Sequence, residues 1–159
     1  MLELRKVLPW YALAIFVVVS DQLSKAAVME AFKLGEGLAI TGFLNLVFVL
    51  NRGAAFSFLA DAGGWQTWFF SLLAMGVSAY IGQLLPKHSD NKSMCFSLAL
   101  IMGGAIGNVI DRLSYGAVVD FIDMHVAGWH WPAFNVADSA ICVGIGLLLW
   151  LQLKENKHD

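Results

Sequence analysis

Four apolar stretches, each long enough to cross a lipid bilayer, constrain this chain more than any other feature. A helix needs about 20 mostly apolar residues to span the hydrocarbon core. The sequence offers spans at about 7–28, 65–85, 94–112 and 135–153. Asp21 and Lys25 interrupt the first, the second carries no charge, Asp111 and Arg112 end the third, and Asp138 lies in the first turn of the fourth. Only 14% of residues are charged and 58% are hydrophobic, against about 25% charged in a soluble domain. The surplus apolar surface needs lipid to face. Residues 1–159 therefore read as a single integral membrane domain.

The first stretch follows Arg5 and Lys6, as a signal peptide would. With three more spans behind it and no clear small-residue cleavage site, it reads as a retained helix. Basic residues set the orientation. Arg5 and Lys6 precede the first helix, Lys87 and Lys92 separate the second from the third, and Lys154 and Lys157 follow the fourth. Four spans put all six on one side, which places both termini in the cytoplasm. Trp10 and Trp150 then fit the inner interface, and Trp65, Trp68, Trp129 and Trp131 the outer one. With a net charge of −2, nothing suggests nucleic-acid binding. Cys95 and Cys142 have neither metal spacing nor a disulfide framework, and both read as small buried apolar residues.

The outer loop between the first two helices is unusual. Leu38 to Leu50 is rich in β-branched and aromatic residues, punctuated by Gly42 and by Asn51-Arg52-Gly53. It reads as a β-rich insert over about 36–60 that lies against the outer membrane surface, with a short re-entrant helix as the alternative. The fold class is thus an all-α membrane protein: four transmembrane helices with cytoplasmic termini, plus a small β-rich subdomain on the outer face between helices one and two.

Given this topology, the embedded polar residues share one level. Asp21 and Lys25, then Asn108, Asp111 and Arg112, then Asn135 and Asp138 all fall at the outer ends of their helices. Asn51, Gly53, Asp120 and Asp123 lie in the outer loops. Ionisable groups at such depths are costly and mark function by default. Each also has a structural reading. Asp21 and Lys25 suit an i,i+4 ion pair. Asn135 and Asp138 suit an N-cap with an acid three residues on. Asp111 and Arg112 suit a stop signal, Asp120 and Asp123 solvated loop acids, and Gly103 and Gly107 close helix packing. None of these readings explains why the acids gather on one face. A serine–lysine centre is disfavoured because Ser24 and Lys25 do not face each other on a helix. A metal site from Asp120, Asp123, His125 and His130 has no supporting spacing. A proton-coupled transporter would place its acids near the midplane.

At these residues the chain resembles the bacterial lipoprotein signal peptidases, the signal peptidase II family. The elements are Asp21-Gln22-Leu23-Ser24-Lys25, then Asn51-Arg52-Gly53-Ala54-Ala55-Phe56-Ser57, then Gly103 to Arg112 (GGAIGNVIDR), then Val118 to Asp123 (VVDFID), and Phe134 to Ser139 (FNVADS). The resemblance implies an aspartic-type endopeptidase of the bacterial inner membrane, with its site on the periplasmic side. Such an enzyme removes signal peptides from diacylglyceryl-modified prolipoproteins, cutting just before the lipidated cysteine. By motif position the catalytic pair is Asp120 and Asp138. Asp21, Lys25, Asn51, Gly53, Asn108, Asp111, Arg112 and Asn135 then support the pair or contact substrate. The resemblance also implies prolipoproteins, membrane lipid and globomycin-type inhibitors as partners; no metal, cofactor or nucleic acid is expected, and the chain reads as a monomer. Two adjacent carboxyls sharing a proton supply both the acid and the base that uncatalysed peptide hydrolysis lacks. A mobile outer loop between Asn51-Arg52-Gly53 and Gly63-Gly64 would cover the site.

Overall fold

The computed structural model describes residues 2–53, 59 and 63–155. Ala54 to Ser57, most of the expected covering loop, and Lys157 lie outside the described residues. Its helices are α1 (Leu2–Ala31), α2 (Trp65–Lys87), α3 (Lys92–Tyr115) and α4 (Val136–Glu155). All four are long and apolar enough to cross a membrane. They run past the apolar stretches because helical hydrogen bonding continues into the polar flanks. At the inner end, Lys6 near the start of α1 reaches Asp90, in the turn between α2 and α3, at 2.9 Å.

Helix α3 is the centre of the bundle. About 67% of its span is buried, against 28% for α1 and 17% for each of α2 and α4. Small residues let its neighbours come close. A Cβ on Gly103 would sit 2.7 Å from the Ala14 carbonyl oxygen of α1, and one on Gly104 would overlap the Ala137 carbonyl of α4. The packing read for Gly103 and Gly107 is present, and Gly104 adds the α4 contact. Val7, Ala14, Ile81, Leu85, Cys95, Leu98, Ile101 and Met102 form the apolar core below the polar end. Ile15, Phe16, Leu23, Leu72, Leu73, Val143 and Leu149 point outward, as lipid-facing residues do. Cys142 is also exposed, which corrects its reading as a buried residue; Cys95 is buried. The face α4 turns to α3 carries Ala137 and Gly144, leaving Cys142 on the lipid side, where a thiol behaves as a small apolar group.

The outer subdomain is a four-stranded antiparallel sheet in the order β1 (Gly37–Thr41), β2 (Leu44–Asn51), β3 (Val118–Val126), β4 (Trp129–His130). The strands between α1 and α2 are therefore only half of it. The second outer loop supplies the rest, and Asp120, read as a loop acid, lies on β3. Gly116 makes this possible. It ends α3 at φ 72°, a left-handed conformation that glycine adopts without strain, and its N–H bonds the Arg112 carbonyl. The chain then turns back across the bundle end, where β3 pairs with β2, Asp120 opposite Val49 and Val118 opposite Asn51. Phe134 bonds to β3 through Phe121 and Ile122, delivering the next residue, Asn135, beside Asp120.

Candidate active site

The polar residues converge where α1, α3, α4 and the sheet meet. Asp120 is buried and Asp138 half-buried. A short amide chain links them. Asn135 Nδ2 donates to Asp120 Oδ1 at 2.8 Å, and Asn108 Nδ2 donates to Asp138 Oδ1 at 2.7 Å. The two amides also meet, Asn135 Nδ2 lying 3.3 Å from Asn108 Oδ1. Asn135 has two N–H groups for three nearby oxygens, the third being the Val119 carbonyl at 3.2 Å. The contact to Asp120 is the shortest of the three.

Asn135 is at once a helix cap and a donor to Asp120. Its Oδ1 accepts from the Asp138 backbone N–H at 2.8 Å, as an N-cap does three residues on. That contact fixes which end of the amide faces Asp120, since a carboxylate needs a donor. The cap geometry read for Asn135 and Asp138 is present, and the same two side chains also belong to the amide chain that reaches Asp120. From the sheet, Asn51 Nδ2 donates to Asp120 Oδ2 at 3.1 Å, and its Oδ1 accepts from Gly53 N–H at 2.9 Å. The Gly53 carbonyl in turn accepts from Arg112 Nη2 at 3.0 Å, and the Arg112 guanidinium lies 5.6 Å from the Phe70 ring centroid of α2.

Beneath the pair lies a buried ionic hub. Lys25 Nζ sits 2.7 Å from Asp21 Oδ2, 2.8 Å from Asp111 Oδ2 and 3.1 Å from Asn108 Oδ1. Each hub aspartate also holds one backbone N–H. Asp21 Oδ1 accepts from Ala137 N at 2.9 Å, and Asp111 Oδ2 accepts from Val119 N at 2.9 Å. Ala137 immediately precedes Asp138, and Val119 immediately precedes Asp120. The hub thus fixes the backbone beside both central carboxylates. Gly107 is needed here, because a Cβ there would lie 2.7 Å from Asp21 Oδ2. The i,i+4 pairing of Asp21 and Lys25 is present but incomplete as a description, since Asp111 is its third member rather than an interfacial stop. Gln22 joins the hub by donating to Asp111 Oδ1 at 2.8 Å. Sequence reasoning gave Gln22 no role, although a polar residue beside Asp21 in an apolar span was the available signal.

Burial, and next the neighbouring Asp138 charge, push Asp120 up to about 7, while the Asn51 and Asn135 hydrogen bonds pull the other way. Asp123, three residues along β3, faces away from Asp120, as strand alternation requires. Burial would raise its pKa, but hydrogen bonds from Asn45 and His130 outweigh that and hold it low. His130 stacks on His125, with centroids 4.9 Å apart. These groups do not converge on a point with Asp120, so the metal alternative lacks a geometry. Ser24 Oγ donates to the Asp21 carbonyl and Lys25 is held by two aspartates, so the serine–lysine alternative lacks one too.

A sequence model of the family described as Signal peptidase (SPase) II matches residues 13–154. A lipoprotein signal peptidase of Ralstonia nicotianae is 57% identical over 150 residues, covering 94% of this chain and 87% of the relative. One from Paraburkholderia phymatum is 57% identical over 146 residues, covering 92% and 88%. A solved bacterial membrane enzyme superposes with a TM-score of 0.86 at 31% identity, covering 95% of this chain and 91% of its own. A second gives 0.79 at 32% identity, covering 92% and 93%.

Proposed function

The chain belongs to the signal peptidase II family, an aspartic-type endopeptidase that removes signal peptides from prolipoproteins, and from that premise we propose that Asp120 and Asp138 are its catalytic pair. The observation that carries this is the amide chain from Asp120 through Asn135 and Asn108 to Asp138. It orients two carboxyls, one buried and one half-open, at the polar end of an otherwise apolar bundle. Two carboxyls so placed share one proton, because both cannot ionise cheaply. Burial and the facing charge raise the Asp120 pKa to about 7, which suits it to hold the shared proton. Asp138, nearer solvent, takes a proton from water as that water attacks the scissile carbonyl. Asp120 polarises the carbonyl and then helps protonate the leaving amine.

The substrate is a diacylglyceryl-modified prolipoprotein, cut just before its lipidated cysteine on the periplasmic side of the inner membrane. Its signal helix and acyl chains need an apolar surface that leads to the carboxyls. Helix α2 packs on α3, and α4 packs on α3 and α1, while α2 and α4 share no extensive face among the described residues. Substrate would enter between them, where Phe70 of α2, the Arg112 guanidinium beside it and Asp138 of α4 lie at the polar end of the bundle. Arg112 Nε is buried without a hydrogen-bond partner among the described residues, leaving a donor for a substrate carbonyl or for a globomycin-type inhibitor.

The test is mass spectrometry of a diacylglyceryl precursor peptide after incubation with purified enzyme. The product should begin at the lipidated cysteine, and cleavage should persist in chelator. Asp120→Asn and Asp138→Asn should each lower turnover by a factor on the order of 10³ or more. Near-normal turnover by either folded variant would overturn the assignment of the pair.

A further inference from the structure

The inner end of the bundle holds a second concavity, remote from the carboxyls. It is a groove of about 350 Å³ between the inner ends of α1, α3 and α4, lined by Trp10, Phe96, Leu147, Trp150 and Lys92 among others. That volume falls within the ~300–1,000 Å³ range of ligand sites. Its walls are mostly apolar, and Lys92 supplies a charge at the rim. Lys154, one turn beyond Trp150, places its ammonium 5.6 Å from the Trp150 ring centroid and adds a second charge there. Among the described residues neither lysine has an acidic partner, whereas Lys6 nearby is neutralised by Asp90. Indole rings suit this depth, with an apolar body in the acyl region and a polar edge at the headgroups.

We propose that this groove binds a phospholipid with an anionic headgroup, its phosphate held by Lys92 and Lys154 and one acyl chain lying against Trp10, Phe96, Leu147 and Trp150. The charge selects this occupant. A basic groove at the cytoplasmic leaflet attracts acidic lipids and discriminates them from zwitterionic ones. A signal helix fits poorly, because its cytoplasmic end is itself basic and would meet two lysines that have no acidic partner among the described residues. The site is separate from the carboxyl pair, so its occupancy concerns how the enzyme is anchored in the inner leaflet rather than the cleavage step.

Native mass spectrometry of the purified full-length protein, with phosphatidylglycerol or phosphatidylcholine of identical chains, tests this. Quenching of tryptophan fluorescence by brominated forms of the same lipids gives affinities. The wild type should retain phosphatidylglycerol with an affinity about tenfold or more above phosphatidylcholine. Lys92→Gln and Lys154→Gln should each weaken phosphatidylglycerol binding about fivefold and leave phosphatidylcholine unchanged. Leu147→Trp should fill the groove and weaken both. All three variants should keep wild-type cleavage in detergent, which separates this proposal from that of the carboxyl pair. Equal affinity for the two lipids, or phosphatidylglycerol binding indifferent to both lysines, would overturn it. So would displacement of the lipid by an unlipidated signal-peptide helix, or a second copy of the chain occupying the groove instead.

Discussion

Asp120 shows how one residue's surroundings set its chemistry. An ordinary aspartate is ionised throughout the physiological range. Here burial and the facing Asp138 raise its pKa to about 7. The folded state therefore binds more protons than the unfolded chain between the ordinary value and about 7. By linkage, stability falls as pH rises through that window and then levels off. The ionised form costs stability, a cost that the proposed role of Asp120 as an acid near neutral pH would explain. Activity should follow the same proton. The value of kcat/KM should decline as pH rises through about 7, when the shared proton leaves the pair. A profile measured on a lipidated peptide that stays flat to pH 9 would show that no such proton is needed. Asn135→Ala, which removes the donor to Asp120 and the cap of α4 together, should move that alkaline limb upward as well as lower kcat. A merely structural role would leave the limb in place.

At the scale of elements, the hub explains how two carboxylates from distant segments are held in register. Lys25 of α1 ties Asp21 to Asp111 of α3, and those acids grip the backbone of α4 and β3 beside the carboxyl pair. All three charged side chains are essentially without solvent contact. Removing one partner from such a group strands a buried charge and costs about 3–5 kcal/mol. Lys25→Met should therefore lower the thermal midpoint in detergent sharply. The triple variant Lys25→Met, Asp21→Asn, Asp111→Asn should recover most of the loss, because no bare charge remains and the amides can still accept from Ala137 and Val119. Failure to recover would mean that the attraction, not relief of desolvation, dominates. The helices of this arrangement were legible in the sequence, because apolar length and flanking charge are local properties. So was the β1–β2 hairpin, from its apolar β-branched run. Strand β3 was not read as a strand, although Val118-Val119-Asp120-Phe121-Ile122 carries the same β-branched and aromatic character. Its two acids and its position between spans suggested a solvated loop. Its pairing with β2 joins segments some seventy residues apart in sequence, which no local pattern encodes. The acids' common depth followed from topology, but choosing Asp120 and Asp138 among them required the family motifs, because the contacts that single them out are long-range.

For the whole molecule, the polar end and the basic end lie at opposite ends of one bundle, and that asymmetry predicts how it sits in a membrane. The carboxyl pair, the hub and the sheet occupy the end where Lys33 and Arg52 are the basic loop residues. Arg5, Lys6, Lys87, Lys92 and Lys154 collect at the other. Basic residues tend to remain cytoplasmic, so the charge asymmetry predicts a sheet facing the periplasm, the side on which the proposed lipidated substrate would present its scissile bond. An inverted molecule would carry its basic residues across the membrane and leave the proposed carboxyl pair on the side opposite exported precursors. Impermeant thiol labelling in intact cells with a permeabilised outer membrane tests the orientation. In a background with Cys95 and Cys142 replaced by alanine, Phe43→Cys on the exposed β1–β2 turn should label at once. Lys87→Cys, at the inner end of α2, should label only after the inner membrane is lysed. The reverse pattern would put the carboxyl pair in the cytoplasm and detach it from exported precursors. Equal labelling of both would mean that the chain inserts in two orientations, which the one-sided charge is there to prevent.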